Sequence, residues 1–260
     1  MSNMRWKSLA LKAMAQGVSW TRCLSAPRAG LRVLTYHTVG QQAYGDDLNL
    51  NTISVEQFKL HLDVLKNYQC IALQGTDFPT QETKVAITFD DGYADNLHVV
   101  APLLLELNIP FTVFVTGRFV RDKLQGFLST SELKELALLP GVSIGAHGNT
   151  HCDLTRCDEA DLNAELKDSK AYLEDVLGKT VASMAYPYGA TNRRVRAAAG
   201  ACGYTLAASS YFDINRPGRD PLMLSRGVVL NGDSRKILDQ KIKGDWDWYR
   251  LRMTDPLHMQ

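Results

Sequence analysis

Short hydrophobic runs alternate with amphipathic stretches along most of the chain. The runs are rich in β-branched and aromatic residues, and the stretches between them have apolar residues three or four positions apart. The runs predict strands at residues 31–36, 71–73, 85–89, 111–115, 142–146, 181–185, 204–208 and 223–230. The amphipathic stretches predict helices at residues 55–67, 96–107, 131–139, 158–177, 192–201 and 234–243.

This alternation predicts an α/β fold. Strands that alternate with helices indicate βα units and a parallel sheet, and about seven such units fit a closed or nearly closed barrel. A doubly wound sheet is the alternative. No Gly-x-Gly-x-x-Gly motif follows the first predicted strand, which counts mildly against a dinucleotide-binding fold.

Polar residues follow the ends of several predicted strands. His37, Asp90, Asp91, His147 and the pair Tyr186-Pro187 each follow such an end. In a barrel of parallel strands these ends share one face, and that face carries the chemistry. Two adjacent carboxylates after a buried strand are hard to explain by packing, because buried charges need a partner. Asp-Gly is also a common turn dipeptide, so the acids before Gly92 could mark only a turn.

A pair of histidines indicates a metal site. His147 and His151 form an H-x3-H pair, and on a helical turn this spacing puts both imidazoles on one side. One carboxylate of the two acids would complete three protein ligands and leave a position for water. We predict one divalent metal, Zn²⁺, with Co²⁺ or Ni²⁺ as alternatives. A structural zinc site that combines the histidines with Cys152 and Cys157 is the competing interpretation.

Three motifs together resemble the polysaccharide deacetylase family (carbohydrate esterase family 4, the NodB homology domain). They are Thr88-Phe89-Asp90-Asp91-Gly92, His147-x3-His151 and Tyr186-Pro187-Tyr188-Gly189, in the family's order and spacing. The resemblance covers residues 31–230 and implies a distorted (β/α)7-type barrel. It also implies metal-dependent removal of an N-acetyl group from an amino sugar in a surface polysaccharide, a glycolipid or a precursor. O-deacetylation or deformylation on the same site is the alternative.

The resemblance also implies roles for individual residues. By position, Asp90 matches the general base, and Asp91, His147 and His151 match the metal ligands. Tyr188 matches the residue whose backbone N–H stabilises the oxyanion of the reaction.

Two departures from the family pattern concern the groups around the base. Ala185 stands where the third motif has the arginine that orients the catalytic aspartate. Arg226 is the candidate substitute, although a solvent-facing arginine at a strand edge explains that residue equally well. The missing arginine leaves a catalytically inactive carbohydrate-binding relative as an alternative function.

The second departure concerns the general acid. The late motif that normally supplies an acidic histidine is absent, since His258 in the tail is the only histidine after His151. His37 at the end of the first strand instead resembles the early histidine of the circularly permuted poly-N-acetylglucosamine deacetylase branch. This resemblance implies that His37 is the general acid.

The charge is unevenly distributed along the chain. The net charge is +1, which gives no sign of nucleic-acid binding, but residues 1–45 contain six arginines and lysines and no acid. We therefore divide the chain into a basic amphipathic segment, residues 1–30, and a barrel with a C-terminal tail, residues 31–260. A basic amphipathic helix with tryptophans can lie on an anionic membrane surface. A helix packed on the barrel, or a disordered leader, is the alternative.

Targeting signals and cysteines bear on the compartment. Residues 1–45 show no apolar run of membrane-spanning length and no convincing signal-peptide core. The five cysteines are odd in number and lack the spacing of a disulfide framework. We expect a cytoplasmic protein, with the inner membrane surface as the place of any peripheral contact.

Overall fold

The computed structural model describes residues 14–16, 18, 29–73, 75, 78–256 and 259 of the 260-residue chain. Most of the predicted basic segment, residues 1–30, lies outside the described residues, and so does His258. Its membrane contact therefore stays a prediction. Within the described part of the chain, no helix combines the length and the hydropathy needed to cross a bilayer.

The strands form one curled parallel sheet and a small two-stranded ladder. In chain order they are β1 Gly30–Tyr36, β2 Thr38–Val39, β3 Thr52–Ile53, β4 Gln69–Cys70, β5 Thr83–Phe89, β6 Phe111–Val115, β7 Val142–Ala146, β8 Ser183–Ala185, β9 Leu206–Ala208 and β10 Gly227–Val228. The main sheet has the order β10-β1-β5-β6-β7-β8-β9, β4 pairs with the beginning of β5, and β2 pairs with β3.

The sheet closes into a barrel. The strand pairings of the main sheet are parallel throughout, and a parallel bridge between Ala208 and Leu224 joins β9 to the segment that leads into β10. From β5 to β9 the neighbours follow one another in chain order, whereas a doubly wound sheet reverses its order at a switch point. The predicted α/β barrel is confirmed.

Helices cover the outside of the sheet. They are α1 Val55–Leu65, α2 Ala101–Glu106, α3 Gly117–Arg121, α4 Thr130–Leu138, α5 Glu159–Leu177, α6 Arg193–Ala201 and α7 Arg235–Lys243. Single 3₁₀ turns or short 3₁₀ helices occur at Leu154–Arg156, Pro187–Gly189, Pro221–Met223 and Asp247–Arg252. The short helix α3 was absent from the predicted elements.

Two predicted strands differ most in position or length. The strand predicted at 71–73 lies at β4, two residues earlier. The strand predicted at 223–230 shrinks to β10, because Asp220 accepts a hydrogen bond from the Leu222 N–H and starts a 3₁₀ turn there.

The helix predicted at 96–107 begins as a π-helix, Asn96–Val100, and continues as α2. The Ala101 N–H bonds to the Asn96 carbonyl across the wider turn. Pro102 follows and has no N–H to donate, so an α-helical bond back to His98 cannot form. The wider turn thus occurs at the point where Pro102 would interrupt the α-helical hydrogen bonds in any case.

Alternate strand residues enter two separate hydrophobic clusters. On β5, Val85, Ile87 and Phe89 belong to the large cluster beneath the helices, whereas Ala86 belongs to a smaller one inside the barrel. The interior cluster consists of Leu31, Val33, Leu73, Phe78, Ala86, Phe114, Ala185, Leu206, Ala208 and Leu224. Three of its members are alanines, and the fully buried Arg226 lies against the ring of Phe114.

A buried ion pair fastens the C-terminal segment to the first strand. Arg32 of β1 donates from Nη1 to Asp247 Oδ1 at 2.9 Å and from Nη2 to Asp247 Oδ2 at 3.3 Å. Both side chains are almost completely excluded from solvent. The tail beyond α7 is therefore part of the folded barrel.

Substitution of the acid in this pair will destabilise the protein strongly. We expect Asp247→Ala to lower the free energy of unfolding by about 3 kcal/mol, because a buried guanidinium loses its carboxylate. Asp63→Ala is the matched control, since it breaks the exposed Lys66–Asp63 pair and should cost about 0.5 kcal/mol or less. Urea unfolding measures both values, and equal losses in the two variants would contradict the structural role of Asp247.

Candidate active site

A cavity of about 660 Å³ opens at the carboxyl ends of the strands. Six of the seven predicted site residues line it: His37, Asp90, Asp91, His147, His151 and Tyr188. The seventh, Arg226, lies inside the barrel with only 1% of its surface exposed and contacts Asp90. All seven predicted residues therefore belong to one region of the barrel.

Asp91, His147 and His151 could hold a metal ion. Their ligand atoms lie within 4.8 Å of one another. Asp91 Oδ1 is 3.5 Å from His147 Nε2 and 3.2 Å from His151 Nε2. That oxygen is buried and accepts no hydrogen bond from the described residues, so its lone pairs remain available. Two imidazoles and one carboxylate form a donor set that suits zinc and neighbouring divalent metals.

The alternative zinc site with the two cysteines does not fit this geometry. Both histidines direct Nε2 toward Asp91, and the sulfur atoms of Cys152 and Cys157 contact each other instead. The cluster of three ligands found among the described residues contains no cysteine.

A sharp turn after β5 directs Asp91 into the cavity. Asp91 has a φ of 74° and Gly92 a φ of 84°, both in the left-handed region. A Cβ atom at position 92 would come within 3.1 Å of Val115, so glycine suits both the conformation and the contact. The turn lets two consecutive carboxylates serve the same site with different partners.

The surroundings of His147 fix its tautomer. Its Nδ1 lies 2.8 Å from the carbonyl oxygen of Ala185, which can only accept, so Nδ1 carries the proton. The lone pair on Nε2 therefore faces Asp91, as metal binding requires. Burial lowers the pKa of His147 to about 4, despite the opposing charges of Asp90 and Asp91. The imidazole is consequently neutral at neutral pH.

The second histidine is in a different environment. Burial alone would lower the pKa of His151, but the nearby carboxylates, above all Asp91 and then Asp90 and Glu165, raise it overall. Its ring lies beside that of Tyr188, with centroids 4.6 Å apart. Tyr188 itself is 68% exposed and has a φ of 60°, which turns the chain around the rim of the cavity.

Asp90 forms a two-bond ion pair with Arg226. Arg226 Nη1 donates to Asp90 Oδ1 at 2.7 Å and Nη2 donates to Oδ2 at 2.9 Å. Arg226 Nε donates to the carbonyl of Ser209 at 3.0 Å, which fixes the guanidinium plane. Burial would raise the pKa of Asp90, but the charge of Arg226, with a further contribution from His147, lowers it overall. The interpretation of Arg226 as a solvent-facing residue is wrong.

His37 comes directly after β1 and lines the cavity. Its Nδ1 is buried and has no hydrogen-bond partner among the described residues. Its backbone is held by a neighbouring pair: Asn96 Nδ2 donates to the His37 carbonyl, and Asp95 Oδ2 accepts from the Val39 N–H at 2.8 Å. Burial raises the pKa of Asp95 to about 7.

Glu165 of α5 holds the loop that carries the histidine pair, and the sequence interpretation missed it. Its carboxylate accepts hydrogen bonds from the N–H of Asn149 at 2.8 Å, the N–H of Thr150 at 2.9 Å and the Thr150 hydroxyl at 2.6 Å. A signal was present, since Glu165 falls on the same helix face as Leu162 and Leu166. An acid on a buried helix face needs donors from another element.

Comparisons with known proteins find similar sequences and similar structures. The sequence model of a family described as polysaccharide deacetylase matches residues 77–207, half of the chain. The Bacillus subtilis protein YxkH is 28% identical over 190 residues, which cover 70% of this chain and 65% of that protein. Chitin deacetylase 1 of Cryptococcus neoformans is 32% identical over 128 residues, covering 49% of this chain and 26% of that protein. The chain thus spans less than two thirds of the length of these curated relatives.

Solved structures share the fold. The Streptococcus pyogenes deacetylase PplD, solved in complex with acetate, superposes with a TM-score of 0.72 at 25% identity. The superposition covers 84% of this chain and 99% of PplD.

Removal of the Glu165 carboxylate will loosen the histidine loop. In Glu165→Ala we expect faster hydrogen exchange at the amides of Asn149 and Thr150, and a loss of about 2 kcal/mol in the free energy of unfolding. Asp168→Ala on the same helix is the control, because that side chain is exposed. Exchange mass spectrometry of the loop peptide measures the effect, and unchanged exchange in Glu165→Ala would show that Glu165 does not hold the loop.

Proposed function

This chain belongs to the polysaccharide deacetylase family, and we propose that it removes an N-acetyl group from an amino sugar in a surface polysaccharide, a glycolipid or a precursor of these. One observation carries the proposal. The three candidate metal ligands line one cavity, and the ionised carboxylate of Asp90 lines the same cavity beside them. Hydrolysis of an unactivated amide needs both an electrophilic centre and a base within reach of one water molecule.

We assign Asp91, His147 and His151 as the ligands of one divalent metal. We propose Zn²⁺, with Co²⁺ or Ni²⁺ as alternatives, because the donor set is two imidazoles and one carboxylate. When bound, such an ion polarises the amide carbonyl and lowers the pKa of water.

Asp90 is the proposed general base. It would accept a proton from the water molecule that attacks the acetyl carbon. Its lowered pKa keeps it a carboxylate at neutral pH, and the two hydrogen bonds from Arg226 hold the carboxylate in one orientation. Arg226 would therefore perform the positioning that Ala185 cannot. This arrangement favours an enzyme over an inactive carbohydrate-binding relative.

We assign His37 to the leaving amine and Tyr188 to the oxyanion that forms during the reaction. His37 would protonate the amine that leaves the acetyl carbon, since its buried Nδ1 has no partner among the described residues and its ring reaches the cavity. The backbone N–H of Tyr188 would donate to the oxygen that gains negative charge during the attack.

Exposed aromatic rings support a sugar substrate. Tyr44 and Tyr188 line the cavity with 67% and 68% of their surfaces exposed, and such rings stack on the apolar faces of sugars. The name of the Cryptococcus neoformans relative specifies chitin, an N-acetylated polymer. The basic segment, residues 1–30, would hold the barrel near an anionic membrane surface, where a lipid-linked sugar is available.

Metal content and acetate release test the proposal together. We expect the wild type to bind one metal per chain and to release acetate from N-acetylated oligosaccharides or lipid-linked sugars. Asp91→Ala should lose both properties, because it removes a ligand. Asp90→Asn is the matched variant: it should keep the metal and lose about 10²–10⁴-fold in turnover.

The other outcomes are informative. A wild type that binds metal but releases no acetate from any N-acetylated sugar would indicate O-acetyl or formyl substrates instead. A wild type that binds no metal would refute the catalytic assignment and favour the binding protein. Normal turnover of Asp90→Asn would refute the assignment of the base.

His37→Ala will separate the proposed acid from the metal site. We expect turnover to fall by about 10²–10⁴-fold while the metal content stays at that of the wild type. His98→Ala is the control, because that histidine is exposed, pairs with Glu132 and lies outside the residues that line the cavity. Retained activity in His37→Ala would point to a different acid.

A further inference from the structure

Two cysteines lie in contact immediately after the histidine pair. The sulfur atoms of Cys152 and Cys157 are 3.4 Å apart, and both side chains are partly accessible to solvent. A disulfide needs a separation of about 2.05 Å, so closing the gap takes a movement of little more than an ångström. The proposed catalytic chemistry uses neither thiol.

A short turn between the two cysteines brings them together. Leu154 is completely buried and anchors the 3₁₀ turn Leu154–Arg156, which Asp153 caps by accepting a hydrogen bond from the Thr155 N–H. The turn reverses the chain, so that residue 157 comes back beside residue 152.

An arginine from α6 fixes the same segment from the other side. Arg194 Nη2 lies within 3.4 Å of three carbonyl oxygens, those of Leu154, Thr155 and Cys157. The donated hydrogen bonds hold the backbone of the turn up to and including the second cysteine. The proximity of the sulfurs thus rests on several contacts and does not depend on the rotamer of a single side chain.

We propose that Cys152 and Cys157 form a reversible intramolecular disulfide by exchange with a small-molecule disulfide such as oxidised glutathione. The thiolate of one cysteine attacks a sulfur of the small disulfide, whose S–S bond breaks and releases one thiolate. The second cysteine then attacks the protein sulfur of the mixed disulfide and releases the other thiolate. The two cysteines lose two electrons and two protons, and the small disulfide is reduced to two thiols.

The disulfide would cross-link the turn that follows His151. Glu165 already holds the preceding residues, Asn149 and Thr150, so oxidation would constrain the loop on both sides of this histidine. Closing a loop this short raises the melting temperature of the oxidised form by roughly 5 °C. The proposal does not depend on the substrate or on bound metal.

Tryptic mapping provides a direct test, because Arg156 lies between the two cysteines. The folded full-length protein is equilibrated with oxidised glutathione, free thiols are alkylated, and trypsin is added. The peptides 135–156 and 157–167 should remain linked and separate on reduction. We expect this link to be about tenfold or more above any other pairing of the five cysteines, since these sulfurs already touch.

Single variants sharpen the test. Cys152→Ser and Cys157→Ser should each abolish the link and the shift in melting temperature, and the remaining cysteine should be trapped as a mixed disulfide with glutathione. Cys202→Ser is the control and should keep both. Five alkylated thiols in the oxidised wild type would overturn the proposal, and so would a link that persists in either single variant or one formed mainly with Cys70 or Cys202.

Discussion

The ion pair between Asp90 and Arg226 is the constraint around which the barrel is arranged. Each charge alone would cost several kcal/mol in the dry interior, so neither residue can be accommodated without the other. The interior accommodates them with small side chains, Ala86, Ala185 and Ala208, and with the carbonyl of Ser209. Arg226 stands directly before β10, the neighbour of β1, whereas His147 follows β7 on the other side of β5. The carboxylate is thereby fixed from one side and open to the cavity from the other.

Neighbouring residues of the site have different partners and different roles. The left-handed turn at Asp91 lets one acid face the arginine and the next face the histidines. Around them, groups that take no part in the proposed chemistry hold each element in place. Glu165 fixes the histidine loop, the Ala185 carbonyl fixes the His147 tautomer, and a hydrogen bond from Asn96 holds the backbone at His37.

The sequence was sufficient to predict the barrel and the grouping of residues at its carboxyl face. Buried parallel strands are continuous apolar runs, and a polar residue directly after such a run marks the functional edge. Contacts between distant segments could not be predicted in this way. Arg226 directly precedes β10, a strand of only two residues, so the pattern did not distinguish a buried arginine from an exposed one. The π-helix before α2 likewise depends on how Pro102 interrupts a ladder, which periodicity alone does not show.

The two buried ion pairs join residues that are far apart in the sequence, and this separation limits the order in which the protein can fold. Asp90 and Arg226 are 136 residues apart, and Arg32 and Asp247 are 215 apart. During synthesis, the carboxylate of Asp90 must remain hydrated until the segment before β10 leaves the ribosome. Contacts of such long range make folding slow, because chain entropy is lost before they form. The interior of the barrel can therefore exclude water only once nearly the whole chain has been made, and shorter nascent chains must keep an open, wet sheet.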